Sequence, residues 1–288
     1  MIIKIVISVV AYLILAPFAG GLLAGFDRKI SARMQGRKGP SLLQPFYDVF
    51  KLFEKERVTA TNVQDFYVMI FVLFVIVSGA LFFAGGDMLL VIFTLTLASA
   101  FLIIAAYSSN SPYAEIGAER ELLQMMAYEP MVLMTIVGFY MYTGSFSVRD
   151  VVTGSSMPFL HLIGIFFGFL YILTIKFRKS PFDLSMSHHA HQELVKGLTT
   201  EFSGRTLGFI EISHWYENIF LLGFVFLFFA NGTVLGYVIG VIVCLLTYFL
   251  EILIDNCFAR MKWQFAFKSA WIVSLILGMV NIFVLYII

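Results

Sequence analysis

The stretch FYVMIFVLFVIVSGALFFAGGDMLLVIFTLTLASAFLIIAAY, residues 66–107, decides the fold. It contains two apolar runs, 66–86 and 88–107, and its single charged residue is Asp87. Each run is long enough to cross the hydrocarbon core of a bilayer as a helix, which needs about 20 residues. The Gly85-Gly86-Asp87 break predicts two transmembrane helices joined by a tight turn, rather than one continuous helix.

The whole chain shares this apolar character. Of its 288 residues, 60% are hydrophobic and 13% are charged, and its mean hydropathy of +0.91 lies far above that of a water-soluble protein. Long unbroken runs indicate helices, because strands of a membrane barrel would show short alternating segments. We therefore predict an all-α integral membrane protein, a single membrane domain over 1–288, with about eight transmembrane helices at 2–26, 66–86, 88–107, 122–144, 157–177, 209–230, 234–254 and 267–288.

The basic residues predict the orientation of these helices. All of the 19 Lys and Arg residues except Lys4 and Arg149 fall on one side of the predicted topology. Because cytoplasmic loops carry an excess of Lys and Arg, we expect cytoplasmic loops at about 27–65 and 178–208 and both termini on the outer side. One span more or fewer would scatter the basic residues over both sides. The net charge of +1 gives no sign of nucleic-acid binding.

The first cytoplasmic loop contains PSLLQPFYDVFKLFE, residues 40–54. Asp48, Lys51 and Glu54 lie opposite a set of apolar residues at helical spacing, which are Leu42, Leu43, Phe46, Val49, Phe50 and Phe53. This pattern predicts an amphipathic helix in the plane of the membrane interface. Such a helix is either a packing element at the membrane surface or a docking platform for a soluble partner, and the spacing fits both.

Ionisable residues inside predicted spans are the first candidates for function, since each costs about 2.5–3.5 kcal/mol at the centre of a membrane helix. The fourth and sixth spans hold Glu121, Glu129, Glu211, His214 and Glu217. Carboxylates and a histidine that face the interior of a bundle can form a proton or ion path. Structural pairing between helices, or a position at a span end, is the alternative, and a span end suits Glu121. Glu251 and Asp255 form a further acidic pair, four residues apart in the seventh span.

We expect no metal site in the chain. Adjacent histidines such as His188, His189 and His191 cannot easily point at one ion from regular structure, and no carboxylate stands at a recognised ligand spacing. Cys244 and Cys257 form no CxxC pair and cannot hold an iron–sulfur cluster alone. Any redox cofactor is therefore expected in a partner protein.

Three long motifs occur in order along the chain. They are ARMQGRKGPSLLQPFYDVFKLFEKE at 32–56, SNSPYAEIGAERELLQMMAYEP at 109–130 and SPFDLSMSHHAHQELVKGLTTEFSG at 180–204. With these motifs the chain resembles, over most of its length, the heel subunit of respiratory complex I, NADH dehydrogenase chain 1, and its relatives in membrane-bound NiFe hydrogenases. The resemblance implies a subunit that joins a cytoplasmic redox arm to an ion-translocating membrane arm.

The resemblance also implies which residues and partners take part. It places Arg37, Asp48, Arg120, Asp183, Glu193 and Glu201 at the junction with the redox module, and Glu129, Glu211, His214, Glu217 and Glu121 on a proton or ion path. It implies no catalytic or cofactor-binding residue in this chain, with a NiFe centre and iron–sulfur clusters in partner subunits. The implied partners are the hydrogenase large and small subunits, a ferredoxin-like iron–sulfur subunit and antiporter-like membrane subunits.

Several departures separate the chain from quinone-reducing members of the family. The first motif begins with a shorter run, residues 185–191 replace an acidic stretch, and Glu129-Pro130 stands where those members read YEIP. An extra Glu121 follows Arg120, and His214 stands where a glutamate is usual. Each departure is similar to the energy-converting hydrogenases of the Ech type.

The sequence therefore favours the membrane-anchor subunit of an Ech-type hydrogenase in the cytoplasmic membrane of a prokaryote. In such a complex, ferredoxin oxidation and hydrogen formation in partner chains drive proton or sodium export. A quinone-reducing complex I subunit, and the same module in a formate-linked or sulfur-reducing membrane complex, remain alternatives. A stand-alone ion transporter is a further alternative, which the want of a detectable inverted repeat disfavours.

Overall fold

The computed structural model of the chain describes residues 2–56, 58, 61–186 and 194–287. These residues are almost entirely helical, and no β-strand occurs among them. The helices are α1 (Ile2–Met34), α2 (Gln44–Glu54), α3 (Asn62–Phe83), α4 (Met88–Tyr107), α5 (Pro112–Thr143), α6 (Val148–Val152), α7 (Ile163–Lys176), α8 (Gly204–Leu227), α9 (Val234–Cys257), α10 (Trp263–Val273) and α11 (Val280–Ile287), the last two joined by the π-helical segment Ser274–Met279. The predicted all-α fold is confirmed.

The number of long apolar helices is lower than the predicted eight. Within the described residues, six helices are long and apolar enough to cross a membrane, namely α1, α3, α4, α5, α9 and the continuous segment from α10 to α11. The predicted span at 157–177 is shorter, because Pro158–Leu160 forms a 3₁₀ turn and α7 has only 14 residues. The span predicted at 209–230 is α8, which has 24 residues but carries charged side chains in its first half.

Two helices extend further into the predicted cytoplasmic loops than the apolar runs suggest. Helix α5 begins at Pro112 rather than at 122, since proline is well suited to the first turn of a helix. Arg120 and Glu121 therefore lie inside α5, and the suggestion that Glu121 sits at a span end is wrong. Helix α1 continues through Met34, so the first cytoplasmic loop begins later than residue 27.

The tight turn between α3 and α4 is confirmed. Gly85 adopts a φ of +80°, which glycine reaches at little cost. Asp87 then begins α4, and its carboxylate accepts hydrogen bonds from the backbone N–H groups of Leu89 at 2.8 Å and Leu90 at 3.2 Å. Such a cap satisfies N–H groups that have no partner within the helix.

The predicted amphipathic helix is α2, and it packs against the bundle. Phe46 meets Trp215 of α8 edge to face at 5.2 Å between ring centroids, and Phe53 meets Phe209 of α8 in the same manner at 5.2 Å. Phe50, by contrast, is 64% exposed. Of the two interpretations, packing accounts for one side of α2, while the Phe50 side faces away from the bundle.

Helix α8 is the centre of the bundle, since it packs against α1, α2, α3 and α9. A large core rich in phenylalanine joins it to α4, α5 and α7, with Phe139, Phe169, Phe220, Phe224 and Phe228 all buried. A second core joins it to α1, α3 and α4. Polar residues on α8 are therefore enclosed by other helices on most sides.

Candidate functional site

Five ionisable side chains meet where the end of α7 passes between α5 and α8. Lys176 Nζ lies 3.3 Å from Glu217 Oε1, and Arg178 Nη2 lies 3.1 Å from Glu121 Oε1. Arg178 Nη1 also contacts His214 Nε2, and Ser185 donates a hydrogen bond to Glu121. We call Glu121, Lys176, Arg178, His214 and Glu217 the buried charge cluster.

The charges of this cluster balance. Burial by itself would lower the pKa of the Arg178 guanidinium, but the carboxylates of Glu121 and Glu217 raise it above its usual value. Arginine has no acceptor atom, so His214 must accept from Arg178 at Nε2 and is neutral in this arrangement. Two carboxylates thus face two cations, with an uncharged imidazole between helices. A buried ion pair is costly to break, because an uncompensated charge is left in the protein interior.

The cluster forms part of the wall of a polar cavity of about 1030 Å³. Lys176, Arg178, Glu211, His214 and Glu217 line it from the end of α7 and from α8. Glu211, His214 and Glu217 thus point toward one space, as their spacing along α8 predicts. Further charged residues on its wall come from α1, from the loops and from the end of α9: Asp27, Arg28, Arg37, Lys38, Lys179, Asp183, Asp255 and Arg260. Groups able to exchange protons therefore share one polar space.

Glu129 lies apart from this cavity, on the α4 side of α5. It is half-buried and borders a small gap, bounded also by Tyr128, Lys176 and apolar residues of α4, α7 and α8. The Lys176 ammonium lies over the Tyr128 ring, 4.1 Å from its centroid, a cation–π contact. Lys176 borders both the polar cavity and the gap beside Glu129, so it separates Glu217 from Glu129.

The predicted junction residues do not form one cluster. Arg37 is exposed and contacts Gln35, and buried Asp183 lies 3.5 Å from Arg260; both Arg37 and Asp183 line the polar cavity. Asp48 lies 2.5 Å from Arg28 of α1. Burial by itself would raise the Asp48 pKa, but hydrogen bonds from Arg28 and Gln44 lower it below its usual value.

The other junction residues lie elsewhere. Arg120 is half-buried and borders a small gap beside Phe182 and Trp263. Glu201 is half-buried and does not line the polar cavity. Glu193 and the histidines His188, His189 and His191 lie outside the described residues. Among the residues that are described, no three His, Cys, Asp or Glu side chains are close enough to hold a metal ion.

Sequence reasoning misses the cations of the site. From the sequence, Lys176, Arg178 and Lys179 are only positive charges that mark the cytoplasmic side. In the structure, Lys179 contacts Asp27 of α1 and lies 3.5 Å from Asp255 of α9, which also accepts a hydrogen bond from the Ser180 N–H at 2.8 Å. The signal that could have found them is the excess of acidic residues in the neighbouring spans, which need counter-charges when buried.

Comparisons with known proteins give a consistent result. A family model described as NADH dehydrogenase matches residues 4–286. The chain is 32% identical to a membrane subunit of the NADH-quinone oxidoreductase of Dehalococcoides mccartyi over 216 residues, which cover 68% of this chain and 60% of that protein. It is 25% identical to hydrogenase-4 component C of Escherichia coli (strain K12) over 276 residues, 87% of either chain.

One solved structure is similar over nearly the whole chain. It is a chain of the membrane-bound sulfane sulfur reductase, described as an archaeal respiratory membrane complex. The TM-score is 0.86 at 26% sequence identity, and the match covers 98% of this chain and 99% of that one.

Proposed function

This chain belongs to the NADH dehydrogenase chain 1 family, and on that premise we propose that it is the membrane-anchor and coupling subunit of an energy-converting NiFe hydrogenase. Ferredoxin oxidation and hydrogen formation take place in partner subunits, whose NiFe centre and iron–sulfur clusters carry the electrons. This chain anchors those subunits at its cytoplasmic face and couples their reaction to the export of protons or sodium ions. Both of its termini face outward.

The observation that carries the coupling role is the position of Lys176. It separates the polar cavity, which holds Glu211, His214 and Glu217, from the gap that Glu129 borders. A change in charge on the cavity side alters how strongly Lys176 is held by Glu217. Movement of the ammonium toward or away from Tyr128 then changes the potential at Glu129. Glu129 thus responds to events in the cavity without direct contact with it.

The balanced charges of the cluster suit this role. If His214 takes up a proton, it can no longer accept from Arg178 at Nε2, and two cations face each other. Arg178 then moves away from His214 while Glu121 and Glu217 compete for the remaining cations. One proton taken up in the cavity therefore rearranges both ion pairs, which links protonation to a change in geometry.

The hydrogenase branch is supported by sequence features and by one comparison. Glu121 and His214, the residues that depart from quinone-reducing relatives, both belong to the buried charge cluster. The similarity to hydrogenase-4 component C extends over 87% of both chains.

A second candidate is a subunit of a sulfur-reducing complex. The match to a chain of the sulfane sulfur reductase, with a TM-score of 0.86, favours it. A quinone-reducing complex is a third, favoured by the 32% identity to the NADH-quinone oxidoreductase protein of Dehalococcoides mccartyi. All three share the coupling role, and the partner subunits distinguish them.

Purification of the native complex in mild detergent tests the choice among these branches. We expect the complex to contain nickel and to evolve hydrogen when supplied with reduced ferredoxin. A nickel-free complex that reduces polysulfide would move the chain to the sulfur-reducing branch, and one that reduces a quinone analogue would move it to the complex I branch.

A further inference from the structure

Glu251 of α9 is a buried acid that the candidate site does not use. Its side chain is 0% exposed, and among the described residues neither carboxylate oxygen has a hydrogen-bond partner. Glu121 and Glu217, by contrast, are each held by a cation within 3.3 Å. An ionised carboxylate without hydrogen bonds in a protein interior is costly, so the group becomes neutral instead.

The surroundings of Glu251 are apolar on the bundle side. Leu222 of α8 packs with Tyr248 and Ile252 of α9, and Leu23 and Ile30 of α1 pack against them. The charged groups that act on Glu251 are Lys179, which follows α7, and Asp255, one turn further along α9. Lys179 is itself engaged by Asp27 and Asp255, so its ammonium is shared among carboxylates that already hold it.

Glu251 nevertheless lies on the face of α9 that borders the polar cavity. Residues three, four and seven positions apart share one face of a helix. Tyr248 and Asp255 have these spacings from Glu251 and from one another, and both line the cavity. A change in its side-chain rotamer would therefore bring Glu251 toward that space.

We propose that Glu251 is a proton-binding site of this subunit, separate from the buried charge cluster, which holds its proton in the arrangement described and exchanges it with the polar cavity. Release leaves the carboxylate, and the proton passes to water in the cavity. The ammonium of Lys179 compensates the new negative charge when it moves from Asp255 toward Glu251. A proton rather than a metal ion is the ligand, because a proton neutralises the carboxylate without any further ligand.

This inference rests on the proposed function only in its meaning, since a proton-binding site on the cavity adds a position to the ion path. Its test does not depend on which complex contains the chain. Dicyclohexylcarbodiimide reacts with protonated carboxyl groups in apolar surroundings, and the adduct is located by mass spectrometry of peptides. The sample is the native complex in mild detergent, labelled across a range of pH.

We expect label on Glu251 at neutral pH, and less on Glu121 and Glu217, which are paired as carboxylates. Glu251→Gln, which resembles the neutral acid in shape, should assemble normally and lose the label. Lys179→Met removes a positive charge and should move the pH at which labelling is half lost upward by about one unit; Asp255→Asn removes a negative charge and should move it downward by a similar amount.

Several results would overturn the proposal. They are an unlabelled Glu251 at every pH, labelling that does not change with pH, or protection of Glu251 by sodium ions at fixed pH, which would indicate a cation site instead. If Lys179→Met fails to assemble, the downward shift in Asp255→Asn still decides the outcome. Normal labelling in a complex whose Glu251→Gln variant translocates ions at the wild-type rate would support the proton site and count only against its place on the path.

Discussion

Lys176 is the residue on which the candidate site depends most. It is buried, paired with Glu217 at 3.3 Å and placed over the ring of Tyr128 at 4.1 Å. The attraction between the two charges offsets the cost of taking each out of water only while both are present. Removal of one partner and removal of both should therefore have different consequences.

Lys176→Met should destabilise the subunit by about 3–5 kcal/mol, because Glu217 is left as an unpaired buried charge. The double variant Lys176→Met/Glu217→Gln should regain most of that loss, since neither charge remains. Thermal inactivation of the detergent-solubilised complex measures both. Lys268→Met, which changes an exposed lysine, serves as the control and should have little effect. Equal losses in the single and double variants would show that the pair does not act as a unit.

The acidic half of this site could be predicted from the sequence, whereas the basic half could not. Glutamates inside apolar runs stand out because nothing in a bilayer explains them. Lys176, Arg178 and Lys179 stand at the end of an apolar run, where positive charge is expected for topology alone. Their burial follows from how α7 ends between α5 and α8, which is a property of the packing and not of local sequence.

Helix α5 shows how a close approach between elements positions the site. A Cβ atom at Gly117 would lie 2.3 Å from the backbone nitrogen of Leu198 and 2.5 Å from the backbone carbon of Gly197. The chain that follows residues 187–193 therefore rests directly on α5, four residues before Glu121.

Gly117→Ala should displace the segment Gly197–Thr199 and destabilise the subunit by about 1–3 kcal/mol or more, since backbone atoms cannot yield as a flexible side chain does. Gly208→Ala on α8 is the matched control, because the nearest atom to a new Cβ there is 3.5 Å away. Yield of assembled complex and its thermal inactivation are the measurements. A Gly117→Ala complex as stable as the control would contradict this close packing.

The element boundaries mark the limit of the hydropathy pattern. The turn between α3 and α4 is predictable because Gly85, Gly86 and Asp87 interrupt an otherwise apolar stretch. The start of α5 at Pro112 and the end of α1 at Met34 are not, since apolar runs report where a helix meets lipid and not where its backbone hydrogen bonds begin. Polar helical turns beyond the membrane are stabilised instead by contacts such as that of Asp27 with Lys179.

For the whole molecule, the orientation across the membrane is the prediction that most needs a direct test. The basic residues place the end of α9 on the cytoplasmic side. Cys257, at that end, is exposed, whereas Cys244 is half-buried within the helix.

A membrane-impermeant maleimide should therefore label Cys257 in inverted vesicles and not in right-side-out ones. Arg149→Cys in a Cys257→Ser background should show the opposite pattern, because Arg149 is exposed on the predicted outer side. The same sidedness for both cysteines, or the reverse of the expected pattern, would contradict the topology.

The central claim is that charge in the polar cavity is coupled to ion translocation through Lys176 and Glu129. The most direct test measures hydrogen evolution and ion uptake together in inverted vesicles that carry Glu129→Gln. We predict an assembled complex in which ion uptake is lost, with hydrogen evolution either uncoupled from it or lost as well. Ion uptake per hydrogen at the wild-type value in that variant would contradict the account.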